Sequence, residues 1–202
     1  MSPVLYVHGR GGSAAEAGHY RPLFPGCDVL GLDYRADTPW EAGPELRAAV
    51  EALREEAGRV TLIANSIGAY YSMCAGLDGL VGRAYFISPI VDMEKLILDM
   101  LAWSGATEAE LNARGTIPTA FGETLSRDCL RWVRAHPVRW SVPTAILYGG
   151  RDALTSRATV EAFAQAHGAS LTVLPDGEHW FHTPEQLRFL DDWLRSKTTP
   201  GP

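Results

Sequence analysis

Ser66, Asp152 and His179 have the residue types and placement that acyl transfer by an activated hydroxyl requires. A serine hydroxyl is too weak an acid to attack a carbonyl unaided. A histidine that takes its proton and later returns it to the leaving group, held by a carboxylate, removes that obstacle. Each of the three follows an apolar run that reads as a buried strand. Val60-Thr61-Leu62-Ile63-Ala64-Asn65 meets Ser66 and passes directly into the helical pattern Ile67-Gly68-Ala69-Tyr70. Thr144-Ala145-Ile146-Leu147-Tyr148 leads through Gly149-Gly150-Arg151 to Asp152, and Leu171-Thr172-Val173-Leu174 leads through Pro175-Asp176-Gly177-Glu178 to His179. A sharp strand-to-helix turn crowds the positions two before and two after its serine, and Ala64 and Gly68 are the small residues there.

Plainer readings accompany each residue. A serine after a strand is a good helix N-cap, and Asp152 suits the cap of a helix starting near Thr155. His182 shares a loop with His179 and rivals it, although it directly precedes Thr183-Pro184, a helix start. His19, His136 and His167 have no convincing partner in the sequence. No HExxH or short-spaced ligand pair points to a metal, and none is expected. Gly9-Arg10-Gly11-Gly12 matches neither the dinucleotide fingerprint nor the Walker lysine motif. Cys74 falls about two turns into the helix after Ser66, where a small core side chain is the ordinary reading.

The order serine, acid, histidine, each beyond a strand, resembles the α/β-hydrolase fold family, and the resemblance extends over nearly the whole chain. It includes the beginning: Val4-Leu5-Tyr6-Val7 runs into His8-Gly9-Arg10-Gly11-Gly12, which looks like the family's His-Gly-X oxyanion loop. Ala64 departs from the commonest form of the serine motif, which has glycine there. The resemblance implies His179 over His182 as the triad histidine, and a loop-shaping role without proton transfer for His8. It also implies an oxyanion hole made by the backbone amides of Arg10 and Ile67, the latter helped by the helix N-terminus.

The elements that must position these groups alternate between short apolar runs and amphipathic helical segments, the signature of a parallel sheet covered on both faces. Strands are expected near 3–7, 28–32, 60–64, 84–88, 144–149 and 170–174. Thr38-Pro39-Trp40-Glu41 supplies an N-cap, a first-turn proline and a capping-box glutamate for a helix that stops at Gly58, and Thr183-Pro184-Glu185-Gln186 repeats that start. The resemblance implies an α/β-hydrolase domain over 1–196: a reduced, mostly parallel six-stranded sheet flanked by helices, lacking the usual first hairpin. The implied strand order is second, first, third, fourth, fifth, sixth, with the ligand crevice where the order reverses beside Ser66 and Arg10.

More chain separates Ser88 from Thr144 than one crossover helix requires, so a small helical cap insertion is expected at about 91–122. Met93, Leu96, Ile97, Met100, Leu101 and Trp103 form an apolar stripe on its first helix, which Gly105 ends. Thr107-Glu108-Ala109-Glu110 starts a second helix ending at Gly115, and 124–135 reads as the helix returning to the sheet. Ordinary packing explains such a stripe, but cap helices in the family overhang the nucleophile. Met100 and Trp103, with Trp180 beside the histidine, are therefore candidate substrate contacts. The tail 197–202 is expected to be disordered.

With 202 residues, 46% hydrophobic and 21% charged, the chain has the composition of one globular domain with a sizeable core. A net charge of -6 argues against nucleic-acid binding and stable association with anionic membranes. Met1-Ser2-Pro3 leaves no room for a signal peptide before the first strand, and Cys27, Cys74 and Cys129 are widely spaced and odd in number. Both observations point to a cytoplasmic protein. The expected activity is cofactor-independent cleavage of a small or medium carboxylic ester through an acyl-enzyme. The same triad could serve a thioesterase, amidase or peptidase, and a catalytically silent hydrolase-like binding protein is the alternative from another class. The acyl preference and physiological substrate are not legible, and homodimerisation through exposed apolar cap surface stays open.

Overall fold

The computed structural model of the chain describes residues 2–198. In chain order the regular elements are β1 (Pro3–Val7), α1 (Ala17–Tyr20), β2 (Asp28–Gly31), α2 (Pro39–Ala57), β3 (Val60–Asn65), α3 (Ile67–Cys74) and β4 (Val81–Ile87). They continue with α4 (Met93–Trp103), α5 (Glu108–Arg114), β5 (Thr116–Pro118), β6 (Thr124–Ser126), α6 (Arg127–Ala135), β7 (Thr144–Gly149), α7 (Arg157–His167), β8 (Ser170–Leu174) and α8 (Pro184–Thr198). Two compact units divide them, one formed by the chain up to Val91 and from Arg139 onward, the other spanning Asp92–Val138.

The larger unit is built on a six-stranded sheet in the order β2-β1-β3-β4-β7-β8, with every neighbouring pair parallel. This is the order implied by the resemblance. Parallel strands covered by helices on both faces carry continuous apolar runs, and every residue of β1 and β7 is buried. One side of the sheet packs Tyr6, Ile63, Tyr85 and Leu147 with Tyr20, Phe24, Leu190 and Trp193. The sheet reverses winding direction between β1 and β3, so their carboxyl ends open a crevice.

Helix α2 begins and ends where its turn residues predict, after Thr38 with proline in its first turn and at Gly58, where φ is 85°. The capping box expected there does not form: the Thr38 hydroxyl donates to the Glu41 carboxylate at 2.6 Å and caps no backbone amide. Helix α8 runs through Thr198, so Lys197 and Thr198 are helical and do not belong to the tail expected at 197–202. The rest of that tail lies outside the described residues. Asp152 caps no helix: α7 begins at Arg157 and is capped by Ser156, whose side chain accepts from the Thr159 amide. Strand β4 starts at Val81, three residues earlier than the sequence suggested.

The smaller unit contains α4, α5 and α6 with a two-stranded antiparallel hairpin, β5-β6. That hairpin corrects the reading of 124–135 as one helix. Thr124–Ser126 pairs with Thr116–Pro118, placing buried Leu125 opposite buried Ile117. The hydroxyl of Thr119 donates to the Glu123 carbonyl and accepts from the Glu123 amide, closing the hairpin turn. Helix α6 starts only at Arg127, after Ser126 caps it through the Cys129 amide. The unit therefore runs to Val138 and takes in α6, beyond the insertion expected at about 91–122. Arg134 joins two of its helices, bonding Glu94 at 2.6 Å and making a bidentate pair with Glu108 at 2.6 and 2.9 Å. No helix among the described residues is long and apolar enough to cross a membrane.

Candidate active site

Ser66 stands between β3 and α3 with φ 51° and ψ -121°, a conformation that L-residues adopt at a cost of about 1–3 kcal/mol. Hydrogen bonds from both sides hold it there. Its amide donates to the Ile87 carbonyl at 3.0 Å, and its carbonyl accepts from Ala69 and Ile90, each at 3.1 Å. The turn also demands glycine at position 68, because a Cβ there would lie 2.4 Å from the His8 carbonyl oxygen and 2.8 Å from that of Val7. Helix α3 thus starts directly against the end of β1. The strained turn presents the serine hydroxyl at the carboxyl edge of the sheet.

Asp152 and His179 reach the same point from the loops after β7 and β8. These loops are laced together: Gly150 donates to the Leu174 carbonyl and Arg151 to that of Gly177, both at 2.8 Å. A Cβ at Gly149 would fall 2.3 Å from the Glu178 carbonyl oxygen, so only glycine permits the two chains to pass this closely. His179 Nδ1 lies 2.7 Å from Asp152 Oδ2, and its Nε2 lies 2.8 Å from Ser66 Oγ. The other oxygen of Asp152 accepts from the amides of Leu154 and Thr155 at 2.8 and 3.1 Å. Its side chain is fully buried while that of His179 is 20% exposed, so the carboxylate is fixed and the imidazole faces the crevice. This arrangement can draw a proton from a hydroxyl and stabilise the cation that results.

His182, the rival histidine, is occupied elsewhere. Its Nδ1 bonds the Trp180 carbonyl oxygen at 2.8 Å, and its ring stacks on Trp180 with centroids 4.7 Å apart. His8 bonds the Gly9 carbonyl oxygen through Nδ1 and stacks on Tyr34, whose hydroxyl donates to the His8 carbonyl at 2.7 Å. Those contacts shape the loop 8–12, where Gly12 donates back to Gly9. The Arg10 guanidinium turns to Asp37 at 3.1 Å. Ile67 is the first residue of α3, where the amide has no partner within its own helix.

A cavity of about 400 Å³ opens beside the serine, bounded by Gly9, Arg10, Asn65, Leu154, His179 and Trp180. Glu16 also lines it, a residue that sequence reasoning missed. Its carboxylate accepts from the Tyr6 hydroxyl at 2.5 Å and from the Ser13 amide at 2.9 Å. Burial, then Tyr20 and Glu16 nearby, push the Tyr6 phenol far above its ordinary pKa, so it remains a donor. The only signal that could have flagged Glu16 is its capping-box spacing from Ser13 in the chain after the glycine loop. A second cavity, about 300 Å³, is lined by Tyr34, Ile67 and Tyr71 and shares Gly9, Arg10 and Gly11 with the first. Met100 and Trp103 lie on α4 in the smaller unit, Met100 partly buried and Trp103 52% exposed with its ring against Phe121.

The model of the "Alpha/beta hydrolase family" matches residues 4–191. The chain belongs to the alpha/beta hydrolase family. Among solved structures, this alpha/beta hydrolase is similar to Est1E from Butyrivibrio proteoclasticus at 15% identity and a TM-score of 0.81, covering 97% of this chain and 86% of that one. A structure of Est1E with ferulic acid bound aligns with a TM-score of 0.79 at 15% identity, covering 98% and 88% of the two chains. Alpha/beta hydrolase domain-containing protein 10 from mouse is 15% identical with a TM-score of 0.69, covering 98% of this chain and 90% of that one. These likenesses concern the fold. No curated protein matches the sequence.

Proposed function

We propose that this alpha/beta hydrolase cleaves small or medium carboxylic esters by a serine acyl-enzyme mechanism. The observation that carries the proposal is the continuous relay from Ser66 Oγ through both nitrogens of His179 to buried Asp152, with contacts of 2.8 and 2.7 Å. Ser66 Oγ adds to the ester carbonyl carbon while its proton passes to His179 Nε2. The tetrahedral oxyanion is received by the amides of Arg10 and Ile67, and the cation on His179 is held by Asp152. Collapse breaks the carbon–oxygen bond, and His179 returns the proton to the departing alcohol. Water then repeats the sequence on the acyl-enzyme, releasing the acid and restoring Ser66. No cofactor enters these steps.

The two cavities meeting at the loop 9–11 suit the two halves of an ester, one receiving the acyl group and the other the alcohol. Trp180 borders the larger one as an apolar substrate wall. Incubation with a fluorophosphonate followed by peptide mapping tests the assignment. The expected result is one adduct, on Ser66, that disappears in Ser66→Ala. Labelling at another residue, or none in the folded protein, overturns it. A panel of aryl esters, acyl thioesters and aminoacyl anilides then ranks the bond types by kcat/KM, with esters expected first.

A further inference from the structure

The opposite edge of the sheet carries a further and larger cavity, about 770 Å³, at the amino ends of the strands. The six residues of β3 separate Arg59 from Ser66, so at ~3.3 Å per residue the two edges lie on the order of 20 Å apart. Four cations line this cavity: Arg59 before β3, Arg83 on β4, and Arg195 and Lys197 in the last turn of α8. No carboxylate lines it among the described residues. In a chain of net charge -6, such a convergence of positive charge runs against the composition of the molecule.

The backbone is shaped to make it. Strand β4 shifts register here, with Val81 opposite Val60 but Arg83 opposite Thr61, leaving Gly82 as the extra residue of a bulge. Bulges re-aim the side chain that follows them. The stem of Arg59 lies across Gly82, where a Cβ would fall 2.2 Å from the Arg59 Cδ. Arg83 Nη1 and the Tyr85 hydroxyl both donate to the Lys197 carbonyl at 3.3 Å, fixing the end of α8 against β4. Arg195 is already shared with Asp192 at 3.0 Å, so Arg59, Arg83 and Lys197 supply the field. Exposed Pro22 and Pro25, flanking buried Phe24, add an apolar wall.

We propose that this cavity is a binding site for a small organic phosphate of nucleotide size, separate from the hydrolytic site. Planar guanidinium forks on Arg59 and Arg83 match phosphate oxygens bidentately, and the Lys197 ammonium adds a point charge. The volume falls in the range of small-ligand sites and exceeds what inorganic phosphate fills. The prolines receive the organic portion.

Calorimetric titration of full-length Ser66→Ala protein tests this without any dependence on turnover. At physiological ionic strength, ADP is expected to bind saturably at one site, pyrophosphate more weakly, and adenosine not at all. Arg59→Ala combined with Arg83→Ala should weaken ADP by about tenfold to a hundredfold, the scale for losing charge-assisted hydrogen bonds. Lys197→Ala serves as the second variant, with a smaller loss expected. In the otherwise wild-type protein, none of these substitutions should change hydrolysis of whichever ester turns over. Absence of saturable ADP binding, undiminished binding in the folded double variant, or adenosine binding as tightly as ADP overturns the proposal. Equal affinities for pyrophosphate and ADP overturn the role of the apolar wall.

Discussion

The two edges of the central sheet acquire their chemistry by opposite means. At the carboxyl edge, backbone does most of the work: Ser66 is held at positive φ, Gly68 and Gly149 allow chains to pass within van der Waals limits, and the relay is three hydrogen-bonded groups of which one is fully buried. At the amino edge charge dominates, with side chains from a loop, a strand and a helix lining one cavity. Reactivity needs fixed geometry, because hydroxyl, imidazole and carbonyl must meet within a few tenths of an ångström. Attraction of an anion needs only field, which tolerates flexible stems. The first edge should therefore fail abruptly on substitution and the second gradually.

Ser66→Ala is the strongest way to break the comparison. It should lower kcat for esters by about 10⁴ to 10⁶, the scale of losing a triad nucleophile, while leaving ADP affinity at the amino edge unchanged. A loss of only a few-fold would mean that another hydroxyl performs the attack. His179→Ala belongs in the same class, and His182→Ala should stay close to the parent enzyme because its ring contacts Trp180 and not Ser66. Asp152→Asn comes next, with a fall in kcat of about 10³ to 10⁴. The amide can still accept from Leu154 and Thr155, so thermal unfolding should move little beside the kinetic loss.

Gly68→Ala sharpens the geometric half of the contrast. A methyl group at 2.4 Å from a backbone oxygen cannot be accommodated by a rotamer change, so α3 must move away from β1. Overpacking of this kind costs about 1–3 kcal/mol. Urea unfolding should show that loss as a lower midpoint at unchanged slope, together with reduced kcat as the serine shifts. At the amino edge, Gly82→Ala meets only the flexible stem of Arg59 and should be nearly neutral for stability.

The same contrast explains what could be read from the sequence. Ser66, Asp152 and His179 each sit just beyond an apolar run with glycine or proline punctuation, so their elements were recognisable even though they are 113 and 27 residues apart along the chain. Strand order and the starts of α2 and α8 followed from the resemblance and from proline-marked caps. The β5-β6 hairpin escaped because three-residue strands have too few alternations to declare a period, and Ser126 ends a strand while it caps a helix. The partner of His19, Asp191, lies 172 residues away and nothing local announces it. Arg59, Arg83 and Lys197 look like ordinary solvated charges one by one, and only the folded sheet gathers them.

Trp180→Ala carries the smallest expected effect and probes how far the demand for exact geometry extends from the relay. The indole is 69% exposed, borders the cavity beside Ser66, and rests on His182. Removing it should cost stability no more than about 0.5 kcal/mol, as for other exposed positions. If it forms an apolar wall that grips substrate and transition state alike, its loss raises KM by about threefold for bulky acyl groups and leaves kcat within about twofold. His182→Ala, which removes the ring beneath the indole and its bond to the Trp180 carbonyl but leaves the indole itself, should shift KM less. Michaelis–Menten analysis on two esters differing only in acyl size separates the outcomes. A fall in kcat with KM unchanged would mean that Trp180 positions His179, and the geometric region would then reach one residue further along the loop.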